Sequence, residues 1–184
     1  MNITRSLLVL ALLLLAGSVL GDDLKSGPDK GEKVPELKVF DATGEHKEKD
    51  VDYAADRKDK PTVYVFIQAE KWSRPMNRFL KTLDESVKKD DGDYVVAVWL
   101  TDKPDESKEY LPKLQQSVKY EATALTCYTG EKAGPKGWNI NADAHLTAVV
   151  VNKGKIAATT AYQSINETDV RAVLEALKKA KEEK

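Results

Sequence analysis

A short apolar run that leads directly into an amphipathic helix limits the folds open to this chain. Residues 62–67 are rich in β-branched and aromatic side chains, which predicts a buried central strand. An apolar stripe at helical spacing then predicts a helix over residues 75–88, formed by Met76, Phe79, Leu80, Leu83 and Val87. Trp72, Ser73 and Arg74 lie at the turn between them. Such a turn is a common site of chemistry, because the free N–H groups of a helix N-terminus favour a developing anion.

The remaining pattern extends this unit into one α/β sheet. Apolar runs predict strands at residues 34–39, 94–100, 122–128, 146–151 and 156–161, the last two joined by the hairpin turn Asn152-Lys153-Gly154-Lys155. Helices are predicted over residues 105–119 and from an N-cap at Asn166 onward. Residues 45–59 are charged and predict irregular structure. A parallel β-α-β unit, an antiparallel hairpin and a closing helix predict a mixed α/β sandwich.

The first residues have the composition of a targeting segment. Arg5 precedes an apolar run at residues 7–16, and small residues precede Asp22, so we interpret residues 1–21 as a secretory signal peptide. Residues 22–33 are polar and glycine-rich and predict a flexible lead-in, and residues 34–184 form the single domain. The protein is therefore predicted to be exported, periplasmic or secreted, without a membrane span after cleavage. An uncleaved signal anchor is the alternative.

Charge and histidine content argue against two classes of function. Without residues 1–21 the chain has 28 basic and 30 acidic residues, a net charge of −2, and no basic stripe with interleaved aromatics. Nucleic-acid binding is therefore not expected. His46 and His145 show no spacing typical of metal ligands, so neither a metal nor another cofactor is predicted.

Cys127 is the only cysteine, so no disulfide can form within the chain. Its thiol is a buried small hydrophobe, a partner in an intermolecular disulfide, or a reactive group. The sequence places it at the end of a strand and away from the helix N-terminus that would activate it, which favours the buried interpretation.

Four segments in order resemble the thioredoxin-like superfamily, in particular its peroxiredoxin (redoxin) and TlpA-like branch. They are the opening segment from Gly31 to Gly44, the strand at residues 62–66, the turn Trp72-Ser73-Arg74-Pro75-Met76, and the hairpin at residues 152–156. The turn lies where the family has the motif W-C-x-x-C. The likeness covers about residues 31–180. It implies a three-layer α/β/α sandwich with a mixed sheet.

The departures from this family concern its redox chemistry. Ser73 stands at the attacking cysteine and Met76 at the resolving cysteine, whereas Pro75 is retained. His145 and Leu146 stand where the family has a cis-proline before a strand. Thiol-disulfide exchange requires a thiolate that attacks the disulfide and a second thiol that releases the mixed disulfide. Peroxidase chemistry requires a thiolate that becomes sulfenic acid. The residues at this turn can do neither.

The resemblance therefore implies a redox-inactive binding or structural module. An extended peptide or a protein would bind at the former active-site face, formed by Trp72, Ser73, Arg74, Met76, His145 and Leu146. The alternative is an exported thiol-disulfide oxidoreductase or peroxiredoxin-like enzyme that works through Cys127. A third hypothesis, a hydrolase with Ser73 activated by His145, lacks a G-x-S-x-G motif, and a helix cap is the simpler role for Ser73.

Overall fold

A computed structural model describes residues 24–183, so the predicted signal peptide lies outside the described residues. The elements, in chain order, are β1 (Lys38–Asp41), β2 (Lys49–Asp52), α1 (Tyr53–Arg57), β3 (Thr62–Gln68), a 3₁₀ turn (Ala69–Lys71), α2 (Arg74–Val87), β4 (Tyr94–Leu100), α3 (Pro104–Val118), β5 (Thr123–Cys127), β6 (Leu146–Asn152), β7 (Lys155–Tyr162) and α4 (Val170–Glu182). None of these helices is both long and apolar enough to span a membrane.

The seven strands form one mixed sheet in the order β2-β1-β5-β4-β3-β6-β7. The pairs β3–β4 and β4–β5 are parallel, whereas β6 pairs antiparallel with both β3 and β7. Strand β3, whose seven residues are all buried, lies inside this sheet as its apolar run predicts. The α/β class and the mixed sheet predicted from the sequence are confirmed.

The sheet separates two apolar layers. Helices α2, α3 and α4 cover one face, where they bury alternate residues of the central strands that include Val65, Ala97 and Ala148. The other face buries the intervening residues, including Tyr64, Val98 and Val149, under the segment that carries the fully buried Trp138 and under Tyr53 of α1. Because successive side chains of a strand point to opposite faces, the same strands supply both layers.

Helix α2 is fixed to the sheet by a buried carboxylate as well as by its apolar stripe. Asp84 has no exposed surface. It accepts hydrogen bonds from the backbone N–H groups of Glu121 (3.0 Å) and Ala122 (2.8 Å) and from the hydroxyl of Thr123 (2.8 Å). These bonds connect the last turns of α2 to the start of β5, so α2 has little freedom to shift along the sheet.

The segment predicted to be a flexible lead-in instead packs on the sheet over its described part. The hydroxyl groups of Ser26 and Thr147 share a buried hydrogen bond of 2.7 Å, and the N–H of Gly31 donates to the carbonyl of Ile156 at 2.8 Å. Composition alone did not predict this packing, because a polar glycine-rich segment can still satisfy its backbone groups against a strand that lacks a neighbour.

Two further local predictions were wrong. Residues 45–59 were expected to be irregular, but residues 49–57 form β2 and α1, with Asp52 as the N-cap of α1. The last helix begins at Val170 rather than near Asn166. The side chain of Asp169 instead accepts a hydrogen bond from the N–H of Asn166 at 2.7 Å, which closes a turn ahead of the helix.

Candidate functional site

The predicted site lies where β3 ends and α2 begins. Strand β3 passes through a single 3₁₀ turn, Ala69–Lys71, to Trp72 and then to the helix. The N–H of Gln68 donates to the carbonyl of His145 at 3.1 Å, which extends the β3–β6 pairing by one residue. The fold thus brings His145 to the end of the sheet at which Trp72 and Ser73 lie, although His145 is 72 positions beyond Ser73 in the sequence.

Ser73 occupies the N-cap position of α2 but does not cap it with its side chain. Its backbone is extended (φ −148°, ψ 165°), and its carbonyl accepts the N–H of Asn77 at 3.0 Å. The hydroxyl makes no capping hydrogen bond, which corrects the predicted role. Within residues 24–183 no hydrogen bond joins Ser73 to His145, so the pair lacks the contact that a serine nucleophile and its base require.

Trp72 and Arg74 are the two large accessible side chains of the turn. Trp72 is half-buried and packs on Trp99, with ring centroids 4.9 Å apart and planes inclined by 55°. Trp99 is buried in the core, as its position on a strand predicts. Arg74 is exposed in the first turn of α2. The turn therefore presents one rigidly supported aromatic ring beside one guanidinium group.

Met76 and Leu146, both predicted to contribute to a binding surface, are buried in the core. Met76 is 2% exposed and Leu146 is fully buried. Met76 begins the inner stripe of α2, and Leu146 pairs with Ile67 inside the sheet, so neither side chain reaches the surface. The accessible part of the predicted face consists of Trp72, Ser73, Arg74 and His145.

Two hollows are lined in part by residues that precede or follow Trp72, Ser73 and Arg74 in the chain. One, of about 500 Å³, lies between the 3₁₀ turn and the start of α3, with a lining that includes Glu70, Thr101 and Tyr110. The other, of about 370 Å³, lies between Pro75 of α2 and residues 165–168. The sequence prediction contained the turn but neither hollow, because their walls come from loops that only the tertiary fold brings together.

Cys127 lies outside this face, at the end of β5. It pairs with Phe40 of β1 and with Trp99 of β4, and its side chain is fully buried. Its sulfur lies 3.9 Å from the carbonyl oxygen of Pro104, and burial raises the pKa of the thiol to about 11. The predicted buried packing is confirmed, and at neutral pH the sulfur is a thiol rather than a nucleophilic thiolate.

Solved structures share this architecture. The DsbF homologue of Corynebacterium diphtheriae aligns with a TM-score of 0.62 and 19% identity over 87% of this chain and 95% of its own. The peroxidoxin BcpB of Mycobacterium tuberculosis aligns with a TM-score of 0.61 and 13% identity over 83% and 97%. The exposed lipoprotein thioredoxin of Streptococcus pneumoniae aligns with a TM-score of 0.56 and 18% identity over 79% of this chain and 99% of its own.

These similarities establish the class of fold. No protein-family model and no curated protein matches the sequence. The structural matches nevertheless agree in kind, and each spans most of this chain. The protein has a thioredoxin-like α/β fold.

Proposed function

We propose that this chain is an exported thioredoxin-fold protein that has lost thiol-disulfide exchange and binds an extended peptide or protein segment at its former active-site face. The observation that carries the proposal is the position of the single cysteine relative to the turn. The turn holds Ser73 and Met76, and the single thiol, Cys127, is buried at the end of another strand.

The chemistry of the turn supports the loss of exchange. A disulfide is attacked by a thiolate, and a second thiol must then release the mixed disulfide. The hydroxyl of Ser73 is almost entirely protonated at neutral pH, and the thioether of Met76 cannot form a disulfide. Burial of Met76 in the core also keeps its sulfur from any substrate.

The accessible groups of the turn support binding. Tryptophan and arginine are the residue types that most often dominate the energy of protein interfaces, particularly where the side chain is held in place before binding. Trp72 is held by Trp99, and Arg74 is fixed at its backbone in the first helical turn. One hollow is lined in part by residues that precede this pair in the chain and the other by residues that follow it, and in this proposal they receive side chains of one extended segment.

Export rests on the sequence of the first 21 residues. Arg5 followed by the apolar run at residues 7–16 is typical of a secretory signal peptide. Sequencing the N-terminus of the protein isolated from its native cells tests this part. A mature chain that begins near Asp22 supports cleavage and export, whereas a retained Met1 contradicts it.

Binding is tested with a library of unstructured peptides of twelve residues. We expect wild-type protein to select peptides that lose at least about tenfold in affinity with Trp72→Ala and with Arg74→Ala. Lys178→Ala, which removes an exposed positive charge near the far end of α4, is the matched control and should bind as wild type does. Binding that is unchanged in both turn variants would refute the proposed face.

Redox inactivity is tested separately, by reduction of insulin with dithiothreitol as the electron source and by consumption of hydrogen peroxide. We expect neither rate to exceed that of a sample without protein. Turnover that is abolished by Cys127→Ser would instead establish the enzyme hypothesis.

A further inference from the structure

We propose that Glu45, His46 and Asp56 form a binding site for a divalent transition-metal ion such as Zn²⁺. Glu45 and His46 lie in the turn between β1 and β2, and Asp56 lies on α1. One ligand atom from each residue lies within 4.8 Å of the other two. The site is separate from the proposed binding face at the start of α2 and does not depend on that proposal.

The turn that carries His46 is held by a buried carboxylate. Asp41 is fully buried, and it accepts hydrogen bonds from the N–H groups of Gly44 (2.6 Å) and His46 (2.9 Å). Oδ2, the oxygen that accepts the N–H of His46, also accepts the hydroxyl of Tyr53 at 2.7 Å. The backbone of His46 is thus fixed relative to the core, although its side chain is about one-third exposed.

The helix that carries Asp56 is held independently. The carboxylate of Asp52 caps α1 by accepting the N–H groups of Ala54 (3.0 Å) and Ala55 (3.3 Å). The ring of Tyr53, the first residue of α1, meets the imidazole of His46 edge-on, with centroids 5.9 Å apart. The two elements therefore present His46 and Asp56 to one another in a defined arrangement before any ion binds.

The imidazole nitrogen of this cluster lacks a hydrogen bond. Nε2 of His46 lies 3.0 Å from Oδ1 of Asp56 and is shielded from solvent, and it has no hydrogen-bond partner within residues 24–183. An unsatisfied buried polar atom requires an explanation, and an ion is one of the recognised explanations. A metal ion would take the nitrogen lone pair and the carboxylate oxygen together.

The donor set and spacing suit a metal of the zinc class. Imidazole nitrogen and carboxylate oxygen bind Zn²⁺ at about 2.0–2.2 Å, so two ligands of a tetrahedral ion lie about 3.4 Å apart. The pair His46–Asp56 is near that separation, and Glu45 is exposed and can close the remaining distance by rotation of its side chain. Three protein ligands leave a fourth position for water.

The test is titration of untagged full-length protein with ZnCl₂ by isothermal calorimetry, and with CoCl₂ followed by visible absorption. We expect one ion per chain. His46→Ala and Asp56→Asn should each weaken binding by at least about tenfold, since loss of an outer-shell partner alone costs about 10–100-fold. Glu48→Gln, which neutralises an exposed acid in the same turn, is the control and should bind within about twofold of wild type.

Circular dichroism of each variant without metal separates a lost ligand from a lost fold. Asp56→Asn preserves shape and keeps the test valid if His46→Ala fails to fold. The absence of saturable uptake by wild type, or equal affinities in wild type and Asp56→Asn, would overturn the proposal.

Discussion

Moving the single thiol from position 127 to position 73 provides the sharpest test of the site chemistry. In the native protein, burial raises the pKa of Cys127 to about 11. At pH 7.5 only about 0.03% of such a thiol is ionised, compared with about 9% of a free thiol with a pKa of about 8.5. Ionisation alone therefore slows alkylation of Cys127 by about a hundredfold or more relative to the unfolded chain.

The double variant Ser73→Cys/Cys127→Ala places the thiol at the N-cap of α2 instead. Position 73 is half-buried and adjoins the free N–H groups of the first helical turn. These groups stabilise a thiolate, so we expect the pKa of the new thiol to lie below about 8.5 and its alkylation to be faster than in the unfolded chain.

Iodoacetamide labelling followed by intact-mass spectrometry between pH 6 and pH 10 measures both proteins, native and in guanidinium chloride. Native Cys127 that is alkylated within tenfold of the rate in the unfolded chain would refute the burial argument. A titration midpoint of native Cys127 at or below about 8.5 would do the same and would make the thiol a candidate nucleophile.

Three predictions concern stability. Asp84→Ala should lower the free energy of unfolding in urea by about 3 kcal/mol or more, because it leaves N–H groups at the start of β5 buried without partners. The control is Glu85→Ala, which should cost about 0.5 kcal/mol. An equally small effect of Asp84→Ala would contradict the prediction. Trp138→Ala should lower the free energy of unfolding by about 3–5 kcal/mol, since it removes a fully buried ring and its hydrogen bond to a carbonyl. A melting temperature equal to that of wild type would contradict this and show that the surrounding residues close the cavity. The raised pKa of Cys127 stabilises the folded state below about pH 8.5, and this contribution is lost as the pH rises toward 11. Between these pH values the free energy of unfolding of Cys127→Ala should therefore fall less than that of wild type. Parallel curves of unfolding free energy against pH for the two proteins would contradict the raised pKa.

The central fold could be predicted because its strands are apolar throughout. Residues 62–67 and 95–100 are buried on both faces, so their composition alone marks them as interior strands. Strand β1 was predicted at residues 34–39 and lies at residues 38–41, whereas β2 could not be predicted in the same way. Residues 49–52 read Lys-Asp-Val-Asp and lie at the edge of the sheet, where charged side chains reach solvent and leave no apolar pattern.

The turn of the candidate site could be found from sequence, but its accessible surface could not. The spacing of Ser73 and Met76 matched a known motif, whereas the burial of Leu146 depends on its pairing with Ile67 across the sheet. The cluster of His46 and Asp56 was missed for a similar reason. Ten residues separate the two, and only the turn and α1 bring them within 3.0 Å.

The packed segment ahead of β1 has a consequence for self-association. Strand β7 is the outermost strand on its side of the sheet, and the carbonyl and N–H of Ile156 both pair with residues 31 and 32. A strand with unpaired backbone groups is a template for a second molecule. Proteolytic removal of residues 24–33 would expose part of β7 and leave most of the core in place. The truncated protein would therefore form aggregates or edge-to-edge dimers at temperatures at which its helices and sheet are still folded.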